Sequence, residues 1–186
     1  MLDARLLSPE APRALKRSEY DKLVADGAFE DERVELIEGV LVAMSPNDPE
    51  HANPIQFLTE LLVRALAGRA TVRVQLPVVA HGESEPEPDL AIVPLGNYRT
   101  AHPSAVHCII EVARRSLSKD RNIKAPLYAK SNFPEYWIVN VPEQVIEVFR
   151  DPHEGAYRET TRHAADQNLS LQGFPDVTVR VSDVFA

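Results

Sequence analysis

Apolar residues along this chain fall into short runs and alternations broken by proline, glycine and acidic clusters, a pattern richer in strands than in helices. Ser18-x-x-Asp21 resembles a capping box and Gly27 supplies a stop, so a short helix is predicted over 18–26. Val34, Leu36 and Ile37 lead through Glu38-Gly39 into Val40 to Met44, two apolar runs around a turn pair that predict a hairpin. Asn53 and Pro54 offer a cap and a first helical residue. Ile55, Leu58, Leu62, Ala65 and Leu66 then recur at helical spacing up to Gly68. From Thr71 to Ala80 the pattern alternates, with Val72, Val74, Leu76 and Val78 on one face and Gln75 on the other. Buried strands are predicted over 89–93 and 106–113. A helix from Ser116 or Ser118 to about Ser131 follows, its first turn irregular because of Pro126. Strands over 135–141, 145–149, 157–161, 169–171 and 177–181 complete the reading. The fold class is α/β (α+β): a central mixed β-sheet flanked by helices, behind an N-terminal helix and β-hairpin. Residues 1–17, with three prolines, read as an irregular arm, and 18–186 as one domain.

Two acids stand out against this pattern. Asp89 abuts Leu90-Ala91-Ile92-Val93, and Glu111 interrupts Cys108-Ile109-Ile110-Glu111-Val112-Ala113, sharing a strand face with Ile109 and Ala113. A buried carboxylate must pair, bind a metal or take up a proton. The plain alternatives are a solvated strand-start aspartate and a glutamate leaning out of a strand end. Lys124 lies one helical turn after Asp120 and one before Tyr128, so the three share a helix face with Leu127. An Asp120–Lys124 surface ion pair is the plain reading. Beside two carboxylates, a lysine can instead orient a water or stabilise charge on a phosphate. A hard divalent ion asks for little more than one or two carboxylates, waters and a substrate phosphate.

The chain has 186 residues, 44% of them hydrophobic and 26% charged, as in an ordinary globular domain. No run is long enough to span a membrane and no signal peptide is evident, so a cytoplasmic location is expected. The single cysteine, Cys108, excludes an internal disulfide and reads as core, as do Tyr136 and Trp137. The six histidines lack metal-pair spacing, the serines lack a nucleophile elbow, and there is no phosphate-cradling glycine loop. A formal net charge of −8 weighs against a broad nucleic-acid footprint. It counts mildly against a nuclease without excluding one, because a metal-binding pocket is itself acidic and DNA contact would then rest on a local basic patch and divalent ions.

With Pro88-Asp89, Glu111 about twenty residues on and a lysine beyond, the chain resembles the PD-(D/E)XK nuclease superfamily. More closely, it resembles the Uma-two family of restriction endonucleases. The matching pieces are Val34-Glu35-Leu36-Ile37-Glu38-Gly39, Met44-Ser45-Pro46, His51, Pro88-Asp89-Leu90, Ile110-Glu111-Val112, Asp120 with Lys124, Tyr128-Ala129, and Pro134-Glu135-Tyr136-Trp137-Ile138-Val139, in order from about Tyr20 onward. The resemblance implies a restriction-endonuclease-like core, Mg²⁺ or Mn²⁺ as cofactor and DNA as substrate. It implies Asp89 and Glu111 as metal ligands, Lys124 as the catalytic lysine and Glu35 as a further acid of the site. The usual lysine position two residues after the glutamate is Ala113 here, so the lysine has moved onto the helix. His51, Gln75, Arg114 and Arg115 are candidate substrate contacts, with capping, surface and turn roles as their plain alternatives. The chain departs from its relatives at Arg114-Arg115-Ser116 and at Asn140, where an aspartate is frequent. Cutting both strands of a duplex would suit a homodimer. Two rival readings remain: a catalytically silent nuclease-fold module that binds DNA or protein, and a hydrolase of RNA or a small phosphodiester.

Overall fold

A computed structural model of the chain describes residues 13–46 and 48–186; most of the expected N-terminal arm lies outside them. Six strands form the central mixed sheet, in the order β3-β4-β5-β6-β7-β8. These are β3 Thr71–Val74, β4 Leu90–Val93, β5 Cys108–Ala113, β6 Glu135–Asn140, β7 Val145–His153 and β8 Ala156–His163. Every residue of β4, β5 and β6 is buried, which is why these segments read as nearly unbroken apolar runs. Only β5 and β6 pair in parallel. A parallel pair needs a crossover, and the segment between them supplies it: α3 Leu117–Lys119, a π-helical turn Asp120–Lys124, and α4 Ala125–Lys130. Topology thus lays the lysine-bearing helix across the strand that carries Glu111.

One face of the sheet packs on α2, Pro49–Ala65, through Ile55, Leu58 and Leu62. The hairpin of β9 (Asn168–Leu171) with β10 (Phe174–Arg180) and the short α5 (Val181–Val184) close that side, adding Leu171, Val179 and Val184. The opposite face packs Ile109, Tyr136 and Ile138 against Leu127 and Tyr128 of α4. Each such fully buried aliphatic or aromatic side chain is worth about 1.5–3 kcal/mol. Trp137 and Cys108 lie in the core as expected. The Trp137 indole donates to buried Glu135 (2.9 Å), whose carboxylate also receives Arg150 Nε (2.9 Å) and the Gln172 amide (2.8 Å), tying β6 to β7 and to the β9–β10 turn. Among the described residues, no helix is long and apolar enough to cross a membrane.

Several local expectations shift. Ser18 does not cap the first helix, α1 Arg17–Ala25; Glu19 instead accepts the Lys16 amide at 2.9 Å, one turn earlier. The second helix starts at Pro49. Asp48 is its cap, accepting the His51 amide at 3.1 Å, while Asn53 donates to Ala186 O and Pro54 sits inside the helix. The strand expected over 71–80 ends at Val74, because Gln75 adopts φ +48°, which no extended strand accommodates. Neither Ser116 nor Ser118 makes a capping bond to α3; the Ser116 hydroxyl is taken by Asp120 Oδ2 at 2.6 Å. The irregularity expected near Pro126 takes the form of the π turn, which ends just before Ala125-Pro126 opens α4.

The hairpin of β1 (Val34–Ile37) and β2 (Val40–Ala43) turns on Glu38 and Gly39, both with positive φ, the conformation that a tight two-residue connection requires. A side chain at Gly39 would also meet Ala14 Cβ at 2.5 Å. The hairpin docks through a Leu36–Glu85 bridge, Glu85 N to Leu36 O at 2.8 Å. That docking buries the Glu85 carboxyl, with His102 Nε2 3.6 Å away. Burial, reinforced by Asp21 and opposed by Arg17, pushes it up to about 7. A carboxyl whose folded pKa exceeds its unfolded value contributes stability below about pH 4.3 that is lost as pH rises through about 7. Glu85→Gln is therefore expected to gain on the wild type between pH 5 and 8, by on the order of 1 kcal/mol once partial solvent screening is allowed for. Urea midpoints at the two pH values read the change; an advantage independent of pH would contradict it.

Candidate active site

Strand pairing assembles the centre. Leu90 is registered with Ile110, so Asp89, the residue before β4, lies opposite Glu111 on β5. Asp89 Oδ2 accepts the Val112 amide at 2.8 Å, and Oδ1 lies 3.3 Å from both His51 Nε2 and Gln75 Nε2. His51 comes from the first turn of α2. The left-handed turn at Gln75 aims its amide at the aspartate; a non-glycine residue in that region costs energy that a site can justify. Burial would raise the Asp89 carboxyl, but the His51, Val112 and Gln75 contacts outweigh it and hold it below the usual range. His51 is raised in turn, chiefly by its hydrogen bond to Asp89.

Glu111 Oε1 accepts Lys124 Nζ at 2.7 Å and the Tyr128 hydroxyl at 2.8 Å. Among the described residues, Oε2 receives no hydrogen bond. Lys124, only 2% exposed, also lies 3.1 Å from Glu35 Oε2. Glu35 is wholly buried; its Oε1 accepts Lys119 Nζ at 3.0 Å and its Oε2 the Glu87 amide at 3.3 Å. Burial raises Glu35, yet Lys124 and Lys119 more than reverse this. Burial would likewise lower Lys124, but Glu111, Glu35 and Asp120 lift it above the ordinary lysine value. Glu111 is pushed up to about 8 by burial, against the pull of Lys124 and with the help of Asp89, Asp120 and Glu35.

Asp120, for which a surface ion pair with Lys124 was the plain alternative, is buried and faces the same cavity. Lys119 also lines it and had no sequence signal at all. The clues to Asp120 were its spacing of four from Lys124 and eight from Tyr128 and its place, with Lys124, in the family resemblance. Arg114 does not reach toward the cavity floor: its guanidinium is forked between Asp48 (2.6 Å) and Glu50 (2.6 Å). Arg115 is exposed at the rim.

The cavity measures about 380 Å³, and Asp89, Glu111, Asp120, Lys119, Lys124 and His51 all line it. Arg114 and Arg115 also line a neighbouring groove of about 930 Å³, which holds none of the three acids. Among the described residues, no three His, Cys, Asp or Glu side chains form a metal cage on their own. The donor set nonetheless suits a hard cation that keeps most of its waters. Asp89 and Glu111 offer oxygen only, Glu111 Oε2 has no donor among the described residues, and four buried carboxyl groups (Glu35, Asp89, Glu111, Asp120) face two ammonium groups. Burial among these acids favours a proton on Glu111, and a divalent ion would take that proton's place.

Among solved structures, the chain is similar to one described as a "putative nuclease belonging to DUF820 from Anabaena variabilis". The two share 17% sequence identity and a TM-score of 0.74, over 92% of this chain and 97% of that one. Identity that low establishes the shared fold. No curated protein matches the chain. Residues 17–182 match the model of the Uma2 family, described as "Putative restriction endonuclease". The match spans all ten strands and every residue of the cavity, and the chain belongs to the Uma2 family.

Proposed function

We propose that this protein is a divalent-metal-dependent endonuclease that hydrolyses phosphodiester bonds in DNA. The observation that supports this most is the pair Asp89 and Glu111, opposed on adjacent strands at one cavity, with Lys124 bonded to Glu111 from the crossover helix. Asp89 and Glu111 would hold Mg²⁺ or Mn²⁺. When bound, the ion supplies a Lewis acid for a phosphoryl oxygen and lowers the pKa of a coordinated water. The reaction forms a bond from water oxygen to phosphorus and breaks the bond from phosphorus to a sugar oxygen, which takes up the proton.

The chain's own groups fix this arrangement. His51, Gln75 and the Val112 amide set the orientation of Asp89, while Lys124 and Tyr128 set that of Glu111. Lys124, at the cavity wall, is placed to orient the attacking water and to stabilise charge developing on phosphate. Glu35 holds Lys124 in place; with both oxygens engaged by lysines, it acts on the site through them.

Incubation with supercoiled plasmid and Mg²⁺ or Mn²⁺ tests the reading. Cleavage that chelation abolishes is expected. Two copies related by a two-fold axis would cut both strands, so a homodimer belongs to the proposal and linear product is its signature. A protein that binds DNA but cuts nothing with either ion would instead be the catalytically silent binding module.

A further inference from the structure

Two lysines straddle the buried carboxylate of Glu35, and they differ in access. Lys124 is enclosed, held by Glu35 and by Glu111. Lys119 Nζ lies 3.0 Å from Glu35 Oε1, yet its side chain is 31% exposed and lines the cavity that holds Asp89 and Glu111. An ordinary α-helix would not produce this, because residues five apart point about 140° away from each other at 3.6 residues per turn. The π turn Asp120–Lys124, where the Ala125 amide closes on Asp120 O, stacks residues five apart instead. Lys119 and Lys124 therefore reach the same carboxylate from one side of the helix. An ammonium has three donors. Glu35 takes one from Lys119, leaving two for the cavity, whereas Arg114 beside it is committed to Asp48 and Glu50.

We propose that Lys119 is a substrate-contacting residue: its ammonium, aimed by Glu35, binds a non-bridging oxygen of the nucleic-acid phosphate that enters the cavity, while Lys124 stays with Glu111. The assignment rests on the nuclease reading and adds to it the group that receives the substrate's charge. Binding of a short DNA duplex, measured in Ca²⁺ over a range of salt concentrations, isolates it from catalysis. Each phosphate contact contributes about 0.9 to the slope of log K against log salt. Lys119→Gln, which can still donate to Glu35 but carries no charge, and Lys119→Ala are both expected to reduce the slope by about that amount. Lys119→Arg is expected to keep it, and so is Lys130→Ala, which removes a lysine paired with Glu38 outside the cavity. A lysine that merely braced Glu35 would change the thermal midpoint and leave the slope alone. A wild-type slope in Lys119→Gln, or an equal fall in Lys130→Ala, overturns the contact and leaves the nuclease reading standing. A wild type that binds no duplex overturns both.

Discussion

Replacing Lys124 with alanine is expected to cost the fold about 3–5 kcal/mol, the range for removing one partner of a buried ion pair. The substitution strands buried Glu111, 2.7 Å from the lost ammonium, with Asp120 alongside, and leaves buried Glu35 with Lys119 as its one cation among the described residues. Tyr128 keeps one hydrogen bond to Glu111 but supplies no charge, whereas Glu35 retains Lys119 and the Glu87 amide. Denaturant midpoints of wild type and variant measure the loss. Millimolar Mg²⁺ is expected to restore part of it, since a cation that binds only the folded protein stabilises by mass action. A loss under about 1 kcal/mol would mean that the acids find other partners, and the picture of an ion-paired floor would fail.

Glu111→Gln and Asp89→Asn are expected to lower phosphodiester hydrolysis at least about 10³-fold, because Lewis-acid stabilisation is worth several kcal/mol and each 1.4 kcal/mol is tenfold in rate. Both changes keep shape and remove charge. Asp89→Asn can still accept the Val112 amide, and Glu111→Gln leaves Lys124 paired with Glu35. Folding should therefore survive, and single-turnover rates of the folded variants give a clean comparison with wild type. Variants that cut at near wild-type rates would exclude these carboxylates from the chemistry.

The acids that matter were legible because they break apolar runs. Glu111 within Ile109-Ile110-Glu111-Val112 was the harder to dismiss, while Asp89 before Leu90 read equally well as a solvated strand start from its own stretch; the strand register sets them opposite each other. The hairpin could be read from Glu38-Gly39 because its turn is local chemistry. The start of α2 could not. Asp48-Pro49 and Asn53-Pro54 are equally good cap-and-proline pairs, and only the folded chain commits Asn53 to Ala186. Thr71 to Ala80 alternates beyond the point where the strand ends, since alternation carries no sign of the turn at Gln75. Lys119 was hidden for one reason. Helical spacing was read at 3.6 residues per turn, and the π turn changes which residues share a face.

Calorimetric titration of Mg²⁺ and Mn²⁺ into the wild type, Asp89→Ala and Glu111→Ala is the most direct test of the central claim. Divalent binding by the wild type that is lost in both variants is the expected result, and it would establish the two opposed carboxylates as the metal centre. A wild type that takes up neither ion, even with a DNA oligonucleotide present, would contradict the metal-dependent nuclease and leave the cavity to a binding role.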